Sequence, residues 1–198
     1  MEDCRVLEAC REGKYTSVLV QTHDKKYVEY RTEHFVNALG SGAGKLCDSM
    51  GIDAGLYPVR HQAFITRRLP MLGKHGTNLD MLIDRQDYKG FSAVYGQQIA
   101  YTGQIIGCAS PKLDAMRIDK NLKVNTKAFL EIVSEMFSEW IPDLAGVGIQ
   151  AVWAGYYTEP RYIVDPELGL FVGMRGHGFM LSQYIARMYV DKLLGRPV

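Results

Sequence analysis

The residues with most chemical potential lie near the C-terminus, in Arg175-Gly176-His177-Gly178-Phe179-Met180. Two glycines flank a histidine where a β-rich stretch gives way to a helical one. Glycines leave backbone amides uncovered, and the following helix adds about half a positive charge at its N-terminus. Such a place suits an anion, or a group that becomes anionic during reaction. A plain tight turn uses the same glycines and is the stronger reading of this feature by itself. Histidine is the side chain that changes charge in the neutral range, so His177 is a candidate base or proton shuttle. A lone histidine between glycines is more often a structural hydrogen-bonding residue. Arg175 is the favoured grip for a carboxylate, because a guanidinium offers two parallel N–H donors. Arg60, Arg85 and Arg161 come after it, since most arginines are solvated surface. The stretch Trp153-Ala154-Gly155-Tyr156-Tyr157 could line a pocket and serves equally well as the core face of a strand.

A second glycine cluster, Gly40-Ser41-Gly42-Ala43-Gly44-Lys45, invites a phosphate-loop reading. The P-loop requires G-x-x-x-x-G-K-[ST]. Leu39 stands where the first glycine belongs and Leu46 where the metal-binding hydroxyl belongs, so the nucleotide-triphosphatase chemistry is lost. The dinucleotide pattern G-x-G-x-x-G fails as well. Its third glycine would fall on Lys45 or on Cys47. A turn that brings backbone close to a neighbour is the simpler account.

Bulk properties set the remaining bounds. The chain has 198 residues, with 23 Lys plus Arg against 22 Asp plus Glu, a formal net charge of +1. That balance argues against a polybasic nucleic-acid binder. Hydrophobic residues make up 47% and charged residues 23%, as in an ordinary globular protein. No apolar run approaches the roughly 18 residues that a spanning helix needs. The charged N-terminal stretch, residues 1–14, argues against a signal peptide. Cys4, Cys10, Cys47 and Cys108 form no C-x-x-C pair, so zinc-ribbon and thioredoxin-like readings fail and no metal site is read. Reduced thiols in a cytoplasmic protein are the expectation.

The elements that must position these residues can be read from periodicity. Residues 1–12 are expected to form a short helix with Val6, Leu7 and Cys10 on one face. Residues 15–22 and 26–30 read as strands around a turn at His23-Asp24-Lys25. A short strand is expected over 34–40, then a helix after Gly44 that ends near Gly51. Strands are expected at 57–67, 80–84, 91–96 and 99–106, with a loop over 72–78. Residues 126–140 carry the clearest helix, with Phe129, Ile132, Val133, Met136, Phe137 and Trp140 as one apolar stripe. Asn125 or Thr126 can cap it and Pro142 stops it. Strands at 147–157, 161–164 and 169–173 precede a helix over about 179–194. Met180, Leu181, Tyr184, Ile185, Met188 and Leu193 are its expected buried side, and Gly195 and Pro197 end it. Separated helices among many strands indicate an α+β chain.

Four stretches, in order, resemble the C-terminal half of the D-amino-acid oxidase/glycine oxidase/sarcosine oxidase family of FAD-dependent oxidoreductases. Phe35-Val36-Asn37-Ala38-Leu39-Gly40-Ser41 is similar to the family's "VVNAAGAW" strand and turn. Tyr57-Pro58-Val59-Arg60-His61-Gln62 is similar to its "PVRGQ" strand. Ile141-Pro142-Asp143-Leu144, followed by Val152-Trp153-Ala154-Gly155, resembles its "lPgl…WaG" segment. Met174 to Ser182 resembles its "GHGF" junction. Departures are present too. Leu39 and Gly42 replace residues usual in the first motif, and the family's "PDG-P-IG" stretch is reduced to residues 158–165. The family's opening βαβ unit with G-x-G-x-x-G has no counterpart in the sequence.

The resemblance implies a mixed or antiparallel substrate-domain sheet with flanking helices over residues 56–144. It implies that residues 1–55 and 145–198 form the remainder of an FAD-binding domain. The 57–106 strands are expected to roof the flavin. Gly40, Ser41, Gly176, His177, Gly178, Phe179 and Met180 would contact FAD. Arg175 and His177 would serve catalysis. Arg175, Arg85 and Tyr156 would meet a small-molecule substrate, an amino acid, secondary amine or 2-hydroxy acid that gives a hydride to the flavin. Trp153-Ala154-Gly155 stands where some members carry a flavin-tethering cysteine, so FAD is expected to be non-covalent. FAD is also expected to need a separate dinucleotide-binding chain. The alternative is a non-catalytic remnant, or a small-molecule-binding or oligomerisation module, that does not bind FAD by itself. No nucleic-acid partner is expected.

Overall fold

The computed structural model describes residues 2–73, 78–86, 90–111 and 126–197. In chain order the strands are β1 (Arg5–Glu12), β2 (Tyr15–Gln21), β3 (Tyr27–Thr32), β4 (Tyr57–Thr66), β5 (Leu82–Asp84), β6 (Phe91–Ile99), β7 (Gln104–Pro111), β8 (Ile149–Glu159), β9 (Ile163–Asp165) and β10 (Leu170–Val172). The α-helices are α1 (Ala43–Ser49), α2 (Thr126–Trp140) and α3 (Gly178–Leu193). The fold is α+β. The chain divides into two compact units, Met1–Pro58 with Tyr157–Val198, and Val59–Tyr156.

In the first unit, β1, β2 and β3 form an antiparallel sheet in that order. The expectation of a helix over residues 1–12 is wrong: Arg5–Glu12 is β1. Glu12 pairs with Tyr15 across Gly13-Lys14, and Gly13 takes φ +61°, as a two-residue hairpin turn demands. Pairing with the Val18/Val20 strand outweighs the helix-like spacing of Val6, Leu7 and Cys10. The His23-Asp24-Lys25 turn forms as expected, closed by Lys25 N–H donating to the Thr22 carbonyl at 2.9 Å. The expected strand over 34–40 is reduced to one parallel bridge, Asn37 to Leu170. Helix α1 packs Ala43 and Cys47 against Leu170 and Val172 of the β9–β10 pair and ends before Gly51, at φ +71°.

Helix α3 also departs from expectation. Only Tyr189 is buried, with Ser182, Ile185 and Met188 half-buried. Met180, Leu181, Tyr184 and Leu193 are exposed instead. The helix is apolar on nearly every side, so periodicity alone does not choose the inward face. Phe171 chooses it here, meeting the Tyr189 ring edge-on at 6.0 Å.

The second unit is a five-stranded sheet, order β5-β6-β7-β4-β8, covered by α2. Its core places Phe129, Ile132, Val133, Met136 and Phe137 of α2 against Phe64, Phe91, Val94 and Ile105. That is the expected stripe. Phe64 and Phe137 pack edge-on at 5.3 Å. Each such side chain removed from water contributes about 1.5–3 kcal/mol. Asn125 and the side chain of Thr126 lie outside the described residues, as do residues 74–77 of the expected loop. The expected strand 99–106 is interrupted. Strand β6 runs to Ile99 and β7 starts at Gln104, because residues 100–103 form the hairpin loop, with Tyr101 at φ +69° and Gly103 at φ +66°.

His61, on β4, carries a measurable consequence. Burial pushes its imidazole down to about 4 from the ordinary 6.5. The unfolded chain therefore binds a proton that the folded chain refuses between those values. Stability is fully present above pH ~6.5 and falls as pH drops toward 4, by about 3 kcal/mol in total. Urea unfolding at a series of pH values should show this loss, and His61→Asn should flatten it.

Candidate functional site

The site begins where the β9–β10 pair ends. Gly173 follows β10 at φ +76°, and a side chain there would collide with the Arg161 carbonyl. Glycine is required by both backbone and space. Arg175–His177 form a 3-10 turn, and α3 starts at Gly178. His177 occupies the N-cap, but no side chain caps the helix. The first amides of α3 are thus left without a side-chain acceptor, at the positive end of the helix. Arg175, Gly176, His177, Phe179 and Met180 are exposed, Phe179 completely so. Gly176 is held by contact: a Cβ there would lie 2.5 Å from the Tyr157 ring. The segment is neither a continuous strand nor covered by neighbouring side chains of its own unit.

Arg175 has two unusual features. Its φ is +49°, a region that L-residues other than Asn and Asp seldom enter. Its Nε donates to Oε2 of Glu159, at the end of β8, at 2.8 Å.

Gly40 and Ser41 lie in a 3-10 turn, Gly40–Gly42, immediately before α1. Asn37 connects this turn to the α3 junction. Asn37 N–H donates to the Gly169 carbonyl at 2.7 Å, and Phe171 N–H donates to the Asn37 carbonyl at 3.0 Å. The bridge is parallel. The chain therefore leaves Asn37 toward Gly40 in the same direction as it leaves Leu170 toward Arg175. The Asn37 side chain, 1% exposed, donates through Nδ2 to the Ala43 carbonyl at 3.0 Å and accepts at Oδ1 from Leu39 N–H at 3.3 Å. A cavity of about 200 Å³ opens beside the same turn, lined by Arg5, Val6, Leu7, Leu39, Gly42, Lys45 and Leu46.

The other sequence candidates lie elsewhere. Arg85 is exposed, just after β5, and Tyr156 is half-buried on β8; both belong to the second unit. Arg60 is buried and Arg161 exposed. Trp153 is exposed on β8, so the Trp153–Tyr157 stretch is not simply a core face. Two positions are not announced by the sequence. Asn37 is visible there only as part of a motif, and its side-chain partners are backbone groups that no residue type signals. Glu159 is one acidic residue among 22, picked out only by the fold.

The DAO family, described as FAD dependent oxidoreductase, matches residues 1–192. The chain belongs to this family. Solved structures agree in fold. L-proline dehydrogenase from P. horikoshii is 26% identical with a TM-score of 0.70, the match covering 98% of this chain and 50% of that one. Glycine oxidase from Geobacillus kaustophilus is 18% identical with a TM-score of 0.68, covering 98% and 49%. Iminodiacetate oxidase from Chelativorans sp. BNC1 is 13% identical with a TM-score of 0.69, covering 98% and 49%. This DAO-family chain spans about half the length of these relatives. A comparison with the curated proteins finds no match. Among the described residues, no helix is long and apolar enough to cross a membrane.

The family's cofactor can be tested against this geometry. The uncapped, solvent-facing amides at the start of α3 fit the edge of a flavin ring that gains negative charge on reduction. The sequence contains no G-x-G-x-x-G for the pyrophosphate. The residues present therefore suit the ring end of FAD and not the dinucleotide end.

The position of Asn37 gives a test of the scaffold. Asn37→Ala removes a buried donor and acceptor together and should cost about 2–3 kcal/mol. Chemical denaturation measures that loss. A protected Ala43–Ser49 amide pattern in hydrogen exchange, unchanged from wild type, would show that Asn37 does not hold this turn.

Proposed function

We propose that this chain is the substrate-side portion of an FAD-dependent oxidoreductase acting on an amino acid, secondary amine or 2-hydroxy acid. The observation that carries the reading is the uncapped, exposed start of α3 at Arg175–Met180. When bound, FAD supplies the hydride acceptor, which is the difficult part of the chemistry. The protein's share is to hold, orient and polarise. Amides of Gly178, Phe179 and Met180, with Gly176 and His177 beside them, would face the edge of the ring. A helix N-terminus there contributes about 1 kcal/mol, and up to about 2 when partly buried. Gly40 and Ser41 would approach the cofactor from the Asn37 turn. Arg175 would take the substrate carboxylate. His177 is exposed and would serve as a proton carrier at the junction. L-proline is the first substrate to try, given the relative that shares 26% identity.

The flavin's dinucleotide end would be held by a separate dinucleotide-binding chain or segment. Phe179, Met180, Leu181 and Tyr184 are the surface proposed to receive it, since exposed apolar patches mark interaction sites. The four free thiols suit a reducing, cytoplasmic compartment. A second reading, self-association through the same helix without FAD, is favoured by the same exposed face.

Two experiments decide between these. The chain co-produced with a dinucleotide-binding partner should purify yellow, with a flavin spectrum. Tyr184→Arg should abolish flavin copurification while leaving the melting temperature of the isolated chain unchanged, since Tyr184 is 67% exposed. A colourless homodimer that Tyr184→Arg splits would establish the second reading instead. In the assembled enzyme, Arg175→Ala should lower kcat/KM for flavin reduction about 100-fold, the worth of two charged hydrogen bonds at about 1.5 kcal/mol each. Stopped-flow absorbance measures that rate.

A further inference from the structure

We infer that Glu159 is a positioning residue that aims Arg175 at an acidic ligand. The inference rests on the reading that Arg175 meets the substrate carboxylate. Arg175 stands at φ +49°, a conformation that persists only where surroundings over-determine it and that tends to mark functional sites. Its surroundings do so from two sides. Gly176, the next residue, is pressed against Tyr157. The Arg175 side chain itself is tied to the end of β8 through Nε, which donates to Glu159 Oε2 at 2.8 Å. Glu159 is the anchored partner, its side chain only 14% exposed against 46% for Arg175.

The choice of nitrogen matters. A guanidinium has two ways to give a carboxylate parallel N–H bonds: side-on through Nε, or end-on through the two terminal nitrogens. Glu159 occupies the Nε side. No acceptor among the described residues takes a hydrogen bond from Nη1 or Nη2. The end-on fork therefore points away from Glu159 with its donors available. An arginine fixed at one corner loses less rotamer freedom when a ligand arrives than one swinging in solvent.

Charge and aim make opposite predictions, which lets them be separated. Glu159 is an anion beside the proposed binding place of another anion. If only charge mattered, its removal would tighten carboxylate binding. If it aims Arg175, removing the acceptor weakens binding, whereas glutamine, which keeps an oxygen at the same reach, does not.

The probe is acetate, titrated into the isotope-labelled chain while two NMR signals are followed: the Arg175 Nε–H resonance, which reports the aim of the side chain, and the backbone amides of Gly176–Met180, which give the Kd in every variant. Arg175→Lys identifies the Nε–H resonance by its disappearance. In wild type the signal should be present and should shift with acetate. Glu159→Gln should retain the signal and bind acetate at least as tightly. Glu159→Ala should broaden or lose it and raise the apparent Kd about tenfold. Should Glu159→Ala fail to fold, Glu159→Asp replaces it: the charge stays but the reach is lost, and binding should still weaken. In the assembled enzyme Glu159→Ala and Glu159→Asp should raise KM for L-proline with little change in kcat, and Glu159→Gln should leave KM near the wild-type value. Equal or tighter acetate binding in Glu159→Ala, or equal weakening in Glu159→Gln, overturns the aiming role. Unaltered acetate binding in Arg175→Lys and Arg175→Ala overturns the reading of Arg175 itself, whatever Glu159 does.

Discussion

A single-residue parallel bridge holds together the turn at Gly40 and the junction at Arg175. Asn37 sits between Gly169 and Phe171 with both backbone groups satisfied, and its amide side chain satisfies groups in the adjoining turn. Gly169 permits the approach, since a Cβ there would lie 2.5 Å from the Phe35 carbonyl. Two segments remote in sequence are thereby set side by side and made to exit in one direction. The turn at Gly40 and the junction at Arg175 are consequences of that arrangement. A buried polar group of this kind is costly unless every partner is in place. The arrangement is therefore specific, and few other alignments of the two segments would satisfy the same groups.

The junction itself is built from constraints that glycine alone relieves. Gly173 has both a positive φ and no room for a side chain, and Gly176 has the Tyr157 ring in the way. Between them sits Arg175, a residue without glycine's freedom, held at a positive φ all the same. Propensity would place a glycine or an asparagine there. An arginine in that conformation keeps a long charged side chain at the cost of local backbone comfort. Its ion pair with Glu159 is the visible compensation, small as exposed pairs generally are.

Legibility in the sequence varies with how far away an element's partner lies. Helix α2 is readable from its stripe because one face packs and the other does not. The strands of the second unit are readable for the same reason, apart from the loop at 100–103, where Tyr101 takes a positive φ that its residue type does not advertise. Strand β1 misleads because Val6, Leu7 and Cys10 fit a helical spacing. The Glu12–Tyr15 pairing, a contact between elements, decides against the helix. The glycine cluster at Gly40 lacks the P-loop hydroxyl in sequence, and in the fold it forms a 3-10 turn before α1. The family is legible from four short motifs kept in order. Glu159 is not, because an ion pair has no sequence spacing when its partners come from different elements.

Helix α3 shows why an inward face is sometimes absent from the sequence pattern, and the reason has a physical consequence. Its inward side carries Ile185, Met188 and Tyr189, and its outward side carries Phe179, Met180, Leu181 and Tyr184. A helix apolar on both sides belongs in a covered position. Each large apolar side chain brought under cover contributes about 1.5–3 kcal/mol, enough for a few of them to hold a partner surface. The same cover would act on the helix terminus. Charges and dipoles interact more strongly as water is removed from around them. An uncapped N-terminus that is weak in solvent therefore becomes a stronger site for negative charge once its helix is buried. In this chain the apolar face and the uncapped amides share one element. Burying that face and strengthening the field at Arg175–Met180 are, on this geometry, a single event.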